Sequence, residues 1–258
     1  MVQELVNAFS VVPQGERFVA TPPAWFGPRL FGGTLIGQAV AAAASTDVGD
    51  RRIHSLHAYF LRAGEAAQPI SFEVTPIREG RSLVQARVEA WQDERHLLTM
   101  MCSFANDGEG YEYTLGRPAL DDPPSDPPPA MWPGYALQLG PTEPEPDGSR
   151  RSTSRAWLRV ASRLPDDPGL HAAILGFYSD LTYTGGRPLD LDSPVDGLIS
   201  LDHSVWFHRP ARADEWVLFD VHSLINTGGR GVLRGTMHTQ DGTVVASMAQ
   251  EMIIRPVA

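Results

Sequence analysis

Hydrophobic and polar positions along the chain form two blocks with the same succession of periods, separated by a stretch where periodicity is lost. In the first block, the run from Thr34 to Ala44 opens after Gly32-Gly33. Its small, helix-compatible side chains predict a buried helix that can lie close against a sheet. Alternating stretches at about 53–61, 70–77, 82–91 and 96–104 follow, divided by Glu79-Gly80 and Gln92-Asp93, and predict an antiparallel meander. In the second block, Asp167-Pro168 supplies an N-cap followed by proline at the first helical position, and Leu170, Ala173, Ile174, Phe177, Tyr178 and Leu181 recur at helical spacing. Strands are then expected at about 198–208, 215–223, 231–238 and 243–254, with Gln240-Asp241-Gly242 as a hairpin turn.

The two blocks match residue by residue. Tyr59-Phe60-Leu61-Arg62 answers to Trp206-Phe207-His208-Arg209, and Gln92-Asp93 to Gln240-Asp241, at offsets of 147 and 148 residues. An offset that barely drifts over four strands implies a duplicated unit within one chain. Between the blocks, prolines from Pro118 to Pro146 crowd in among acidic residues, and a long linker without regular structure is expected there. The organisation read from the chain is a first repeat over 1–106, a linker over 107–150 and a second repeat over 151–258.

Composition narrows the functional classes. With 258 residues and 42% hydrophobic content the chain can bury a substantial core. The formal charge is -10, from 21 basic and 31 acidic residues, and no Lys/Arg run occurs, so no nucleic-acid partner is expected and a phosphate-bearing ligand must be met by local arginines. A single cysteine, Cys102, excludes an internal disulfide framework or a cysteine zinc cluster and fits a cytoplasmic location. The N-terminus lacks the features of a signal peptide, and the small-apolar run Ala39 to Ala44 is far shorter than the roughly 20 residues that cross a bilayer, so no membrane insertion is expected.

Common hydrolase signatures are missing: there is no G-x-S-x-G elbow and no H-E-x-x-H zinc helix, and neither a metal nor a cofactor is expected. Asp202-His203-Ser204 holds the three triad residue types, yet strand neighbours point to opposite faces and cannot relay to one another. Gly229-x-Gly231-x-x-x-Gly235 leads into a strand and reads as a turn or bulge rather than a phosphate loop. His54 and His57 lie on a predicted strand as core or interface residues, and Cys102, without an adjacent base, reads as core. Asp180 falls on the apolar side of its helix, where desolvation makes it a candidate base, or else a capping or ion-pairing group near the helix end. Gln250 shares a strand face with Val244, Ala246, Met248 and Met252, so its amide needs a partner, structural or a bound water. Ser200 stands with Asp202, Ser204 and Trp206 on the more polar face, and spacing does not single it out. The counterparts of Ser200 and Gln250 in the first block are Ile53 and Cys102, which cannot make the same hydrogen bonds, so a site built on these residues exists in the second repeat alone.

Phe31-Gly32-Gly33-Thr34-Leu35-Ile36-Gly37-Gln38-Ala39, His54 to Gly64, Leu201-Asp202-His203-Ser204-Val205-Trp206-Phe207-His208-Arg209-Pro210, and Thr239-Gln240-Asp241-Gly242 through Gln250-Glu251 closely resemble the type II acyl-CoA thioesterases. The likeness runs in order over nearly the whole chain outside the proline-rich stretch. It implies an α+β double hotdog fold, each repeat an antiparallel sheet wrapped around a central helix. It also implies hydrolysis of fatty acyl-CoA to fatty acid and coenzyme A by an activated water, with Asp180 as base and Ser200 and Gln250 orienting the water. Ser200 stands where some members have Thr, which keeps the hydroxyl. The match is looser over Thr182 to Asp196, where a substrate-facing loop is expected. The resemblance further implies an acyl-CoA substrate, no cofactor, and a homodimer or homotetramer. Two rivals remain at this stage. A hotdog hydratase would need a D-x-N-x-x-H arrangement that is absent, and a non-catalytic acyl-CoA binding or sensing protein would keep a tunnel and lose the polar residues.

Overall fold

A computed structural model describes residues 2–114, 116, 123, 135–139, 153–181 and 195–256. Most of the proline-rich stretch lies outside these residues, as does the expected substrate-facing loop up to residue 194. The first repeat begins with helix α1 (Val2–Ala8) and a short hairpin, β1 (Val12–Gln14) and β2 (Arg17–Ala20). Helix α2 (Gly32–Ala44) follows, then β3 (Arg52–Phe60), β4 (Ile70–Glu79), β5 (Leu83–Gln92) and β6 (Arg95–Ala105). The second repeat contains β7 (Tyr135–Leu139), β8 (Thr153–Val160), helix α3 (Pro168–Ser179), β9 (Val195–Ser200), β10 (Asp202–Phe207), β11 (Val217–Thr227), β12 (Arg230–Thr239) and β13 (Val244–Pro256).

The strands join one antiparallel sheet in the order β1-β2-β4-β5-β6-β3-β10-β13-β12-β11-β8-β7, with β9 also on β13. The two halves of this order mirror each other about the β3–β10 seam, where the repeats hydrogen-bond. At the seam His57 pairs with Ser204, its own counterpart at an offset of 147, so a pseudo-twofold axis passes through this pair. β5 shows the burial alternation of a sheet with one covered face, and α2 and α3 pack together on that face. This is the double hotdog arrangement expected from the chain.

Two expectations need correction. The stretch 107–150 was expected to lack regular structure, yet its Tyr135–Leu139 segment forms β7 on β8, with Tyr135 and Leu137 buried. Five residues with apolar side chains two apart suffice once a partner strand is present, and the surrounding prolines hide so short a signal. Each repeat therefore has a hairpin ahead of its helix. The strand expected over 198–208 is also broken at Leu201. There Leu201 N–H donates to the Glu251 carbonyl, Phe60 N–H donates to the Leu201 carbonyl, and the Asp202 carboxylate takes the Glu251 N–H at 2.9 Å. The break shifts side-chain parity by one, as a bulge does. The register of β3 slips at the equivalent place, between Ile53 and Ser55.

Glycines set how close the two helices come. A Cβ on Gly33 would meet the Phe177 carbonyl oxygen at 2.7 Å, and one on Gly37 would meet the Ala173 carbonyl oxygen at 2.7 Å. The helices thus run antiparallel with backbones in direct contact. The α1 turn is pinned onto them by the buried Gln38 side chain, which donates to the Ala8 carbonyl at 2.8 Å. Replacing Gly37 by Ala sets a helix-propensity gain of about 1 kcal/mol against an overpacking cost of about 1–3 kcal/mol. The obstacle is a backbone carbonyl that cannot rotate away, so Gly37→Ala is expected to lower stability, read as a reduced urea midpoint with an unchanged slope.

Candidate active site

Helix α3 ends at Ser179 because the chain turns there, leaving Asp180 as its C-cap with the Asp180 N–H still bonded to the Phe177 carbonyl. The antiparallel helix contact brings this end against the start of α2. The residue at the α2 N-cap position is Phe31, whose side chain makes no cap, so the first N–H groups of α2 are left for another acceptor. The Asp180 carboxylate supplies it, hydrogen-bonding the Gly33 N–H, and Gly32 and Gly33 leave it room: a Cβ on Gly32 would lie 2.7 Å from Asp180 Oδ2. A carboxylate at a helix N-terminus is favoured by the local dipole.

The other carboxylate oxygen faces the sheet. Gln250 of β13 donates from Nε2 to Asp180 Oδ1 at 2.7 Å and to Ser200 Oγ at 2.6 Å, and the Ser200 hydroxyl donates to Asp180 Oδ1 at 3.4 Å. The three polar side chains that the resemblance nominated are therefore brought into one closed triangle. Ser200 reaches it only because of the break at Leu201: strict alternation would have grouped Ser200 with Trp206 on the outer face, where Trp206 is exposed. Asp180 and Gln250 are buried, and one turn before Asp180 the ring of Phe177 packs among Phe9, Trp25, Phe26, Phe31 and Tyr135. Burial in this apolar wall is the largest influence on the Asp180 carboxyl and outweighs the hydrogen bonds from Gln250, Gly33 and Ser200, raising its pKa to about 7.

Behind the triangle stands a residue that reading the chain set aside. His203 is fully buried, and its Nε2 lies 2.7 Å from Ser179 Oγ. The Ser179 hydroxyl spends its proton on the Gly176 carbonyl at 2.7 Å, so His203 Nε2 is the donor of that pair and Nδ1 carries the lone pair. Burial lowers the His203 pKa to about 4, the Gln250 amide beside it offsetting this in part, and the ring is neutral at neutral pH. His203 Nδ1 and Gln250 Oε1 are both buried, and neither closes a hydrogen bond of good geometry among the described residues. The triad reading of Asp202-His203-Ser204 fails as expected, since Ser204 bonds His57 and Asp202 caps Glu251 N–H. The signal that could have found His203 is its place one residue before Ser204, which pairs with Ala249 next to Gln250.

The remaining candidates are structural. Cys102 is buried, its thiol pushed up to about 12 by burial, which removes it as a nucleophile. Gly228 and Gly229 have positive φ in the β11–β12 turn, while Gly231 and Gly235 lie in β12, where a Cβ would meet Asn226 Oδ1 at 2.5 Å and the Phe219 ring at 2.7 Å. His54 bonds Ser103 at 2.8 Å and His57 bonds Ser204 at 3.0 Å. No group of three or more metal-ligating side chains and no helix long and apolar enough to cross a membrane occurs among the described residues.

Two domain families match the chain: the acyl-CoA thioesterase N-terminal domain over residues 21–105 and the acyl-CoA thioesterase C-terminal domain over residues 116–254. Acyl-coenzyme A thioesterase 8 of Homo sapiens is 30% identical over 259 residues, covering 88% of this chain and 81% of its own. The solved structure of acyl-CoA thioesterase II TesB2 from Mycobacterium marinum is 32% identical, with a TM-score of 0.84 and coverage of 99% and 98% of the two chains. A hot dog fold protein from Alicyclobacillus acidocaldarius, 20% identical with a TM-score of 0.79, shares the fold.

The raised carboxyl fixes a sign for stability. Asp180 holds its proton up to about 7 when folded, whereas a free carboxyl releases it near 3.9. The folded state thus binds the proton more tightly, and ionising Asp180 costs stability as the pH rises between these values. Against Asp180→Asn as reference, the wild-type protein is expected to lose stability from about pH 4 to about pH 7 and to run parallel above that. Urea midpoints taken for both proteins across this range check it, and superimposable pH profiles would contradict it.

Proposed function

Because this chain belongs to the type II acyl-CoA thioesterase family and is a thioester hydrolase, we propose that it hydrolyses fatty acyl-CoA to fatty acid and coenzyme A at the Asp180, Ser200 and Gln250 site. The observation that carries the residue assignment is the closed triangle of buried hydrogen bonds at the junction of the two helices and β13. A purely structural cluster gains nothing from a carboxyl whose pKa of about 7 lies near physiological pH, whereas a general base works best there.

The reaction follows from the chemistry of the thioester. Its carbonyl is activated and its thiolate is a good leaving group, so one oriented water and a base suffice. Asp180 takes a proton from the water, whose oxygen attacks the carbonyl carbon. The Ser200 hydroxyl and the Gln250 amide, now bonded to Asp180 Oδ1, hold that water between themselves and the carboxylate. Collapse of the tetrahedral intermediate breaks the carbon–sulfur bond, and the departing thiolate takes up the proton. The neutral His203 ring lies beside the Gln250 amide. The first repeat offers no second copy of this chemistry, because Ile53 and Cys102 occupy the equivalent positions.

Coenzyme A release, followed with a thiol reagent over acyl chains from acetyl to palmitoyl, tests the proposal. Asp180→Asn is expected to lower kcat by about 10²–10⁴-fold while acyl-CoA affinity is kept. A wild-type protein that binds acyl-CoA without releasing thiol would instead be a sensor, and unaltered turnover in Asp180→Asn would remove Asp180 from the reaction. The pH profile gives an independent check: kcat/KM is expected to rise with pH and level off above about 7 as the Asp180 carboxyl ionises. A flat profile between pH 5 and 8 would speak against a carboxyl base.

A further inference from the structure

The pseudo-twofold axis through His57 and Ser204 carries the catalytic end of the helix pair onto its opposite end. At the first end Gly33 of α2 approaches the Asp180 Cβ; at the second Gly169 of α3 approaches the Ala44 Cβ, 3.3 Å from where its own Cβ would stand. Ala44 therefore answers to Asp180, as Ile53 answers to Ser200 and Cys102 to Gln250. The N–H groups that opened α2 to Asp180 have closed counterparts here: the Asp167 carboxylate caps Gly169 and Leu170 at 2.9 and 3.2 Å.

The polar triangle has no counterpart at this end, but a cavity lies here. A cavity of about 1300 Å³ opens there, its apolar wall formed by Val6, Phe9, Ala44, Ile53, Phe104 and Leu175. That is at or above the upper limit of small-molecule sites, about 300–1,000 Å³. Five arginines and five carboxylates, those of Asp50, Asp166, Asp167, Asp214 and Glu215, line it, and Arg52, Arg209 and Arg212 are paired with carboxylates. The other two are not. Arg51 is bonded to the carbonyls of Val48, Gly80 and Arg81, and Arg159 lies over the Trp216 ring at 4.6 Å with its Nε buried and unpartnered. Among the described residues no carboxylate lies within ion-pair distance of either. The planar guanidinium fork of each suits a carboxylate or phosphate.

We propose that this cavity is a second, non-hydrolytic binding site for an apolar chain with an anionic head, the chemistry shared by fatty acyl-CoA and its fatty acid product. The chain lies along the apolar wall, and the head meets Arg51 and Arg159. The proposal rests on the thioesterase reading for the identity of the ligand. It differs from that reading in requiring no turnover, since no carboxylate stands at the position of Ala44.

The test is binding stoichiometry by calorimetry, using the intact protein with the non-hydrolysable thioether analogue of palmitoyl-CoA and, separately, with palmitate. Two equivalents of the thioether per chain are expected, falling to one in Ser45→Trp, which fills the cavity from an exposed position at the end of α2. Ser45→Trp should keep its melting temperature and its turnover of acyl-CoA. If palmitate fills the second site alone, a carboxylate head suffices. If only the thioether does, the nucleotide phosphates are needed, and either result supports the site. One equivalent in the wild type, or two retained in Ser45→Trp, would overturn it. Thiol release measured alongside keeps the readings apart: loss of turnover with two equivalents bound defeats the catalytic proposal and leaves this one standing.

Discussion

The direct contact between the α2 and α3 backbones is the constraint on which the rest of the molecule depends. Gly33 and Gly37 let α2 approach the carbonyls of Phe177 and Ala173, and this contact alone sets the C-terminal end of α3 beside the N-terminal end of α2. A carboxylate at the end of a helix ordinarily opposes that helix's own dipole. Asp180 escapes the penalty because the neighbouring helix presents its positive end to the same carboxylate. A site that neither repeat could hold alone is thereby assembled from both, with α2 in one repeat and α3, β9 and β13 in the other.

Asp180 sits between two opposed demands. The apolar wall around Phe177 disfavours its charge, while Gln250, Ser200 and Gly33 stabilise that charge with three hydrogen bonds. The burial effect prevails, and the balance leaves a carboxyl poised near neutrality instead of one fully ionised. The same compromise makes the buried carboxyl a cost to the fold at neutral pH.

Duplication explains both the economy of the fold and its asymmetry. The two repeats share strand order, the register slip before the seam and the glycine contact between helices, because these features hold the sheet and the helix pair together. The polar triangle contributes nothing to that packing. Ile53, Cys102 and Ala44 fill the equivalent positions in the first repeat with apolar groups that need no partners, and an N-cap takes the place of the Asp180 carboxylate at the start of α3.

Periodicity and local turn chemistry determined much of this protein. The two helices, the long strands, the Gln240-Asp241-Gly242 turn and the duplication were all legible, since each depends on residues close in the chain or on a constant offset. The burial of Gln250 and its need for a partner were legible too, because strand alternation placed it among Val244, Ala246, Met248 and Met252. What no local pattern carried was anything that depends on contacts between distant segments. β7 exists because β8 offers it a ladder, and Ser200 turns inward because Glu251 and Phe60 bond across Leu201 and undo the alternation. His203 looked like a strand residue among others until Ser179 and Gln250 closed around it. Asp180 looked as much like a cap as a base, and only the approach of a second helix, with its first N–H groups free, decided the environment of its carboxylate.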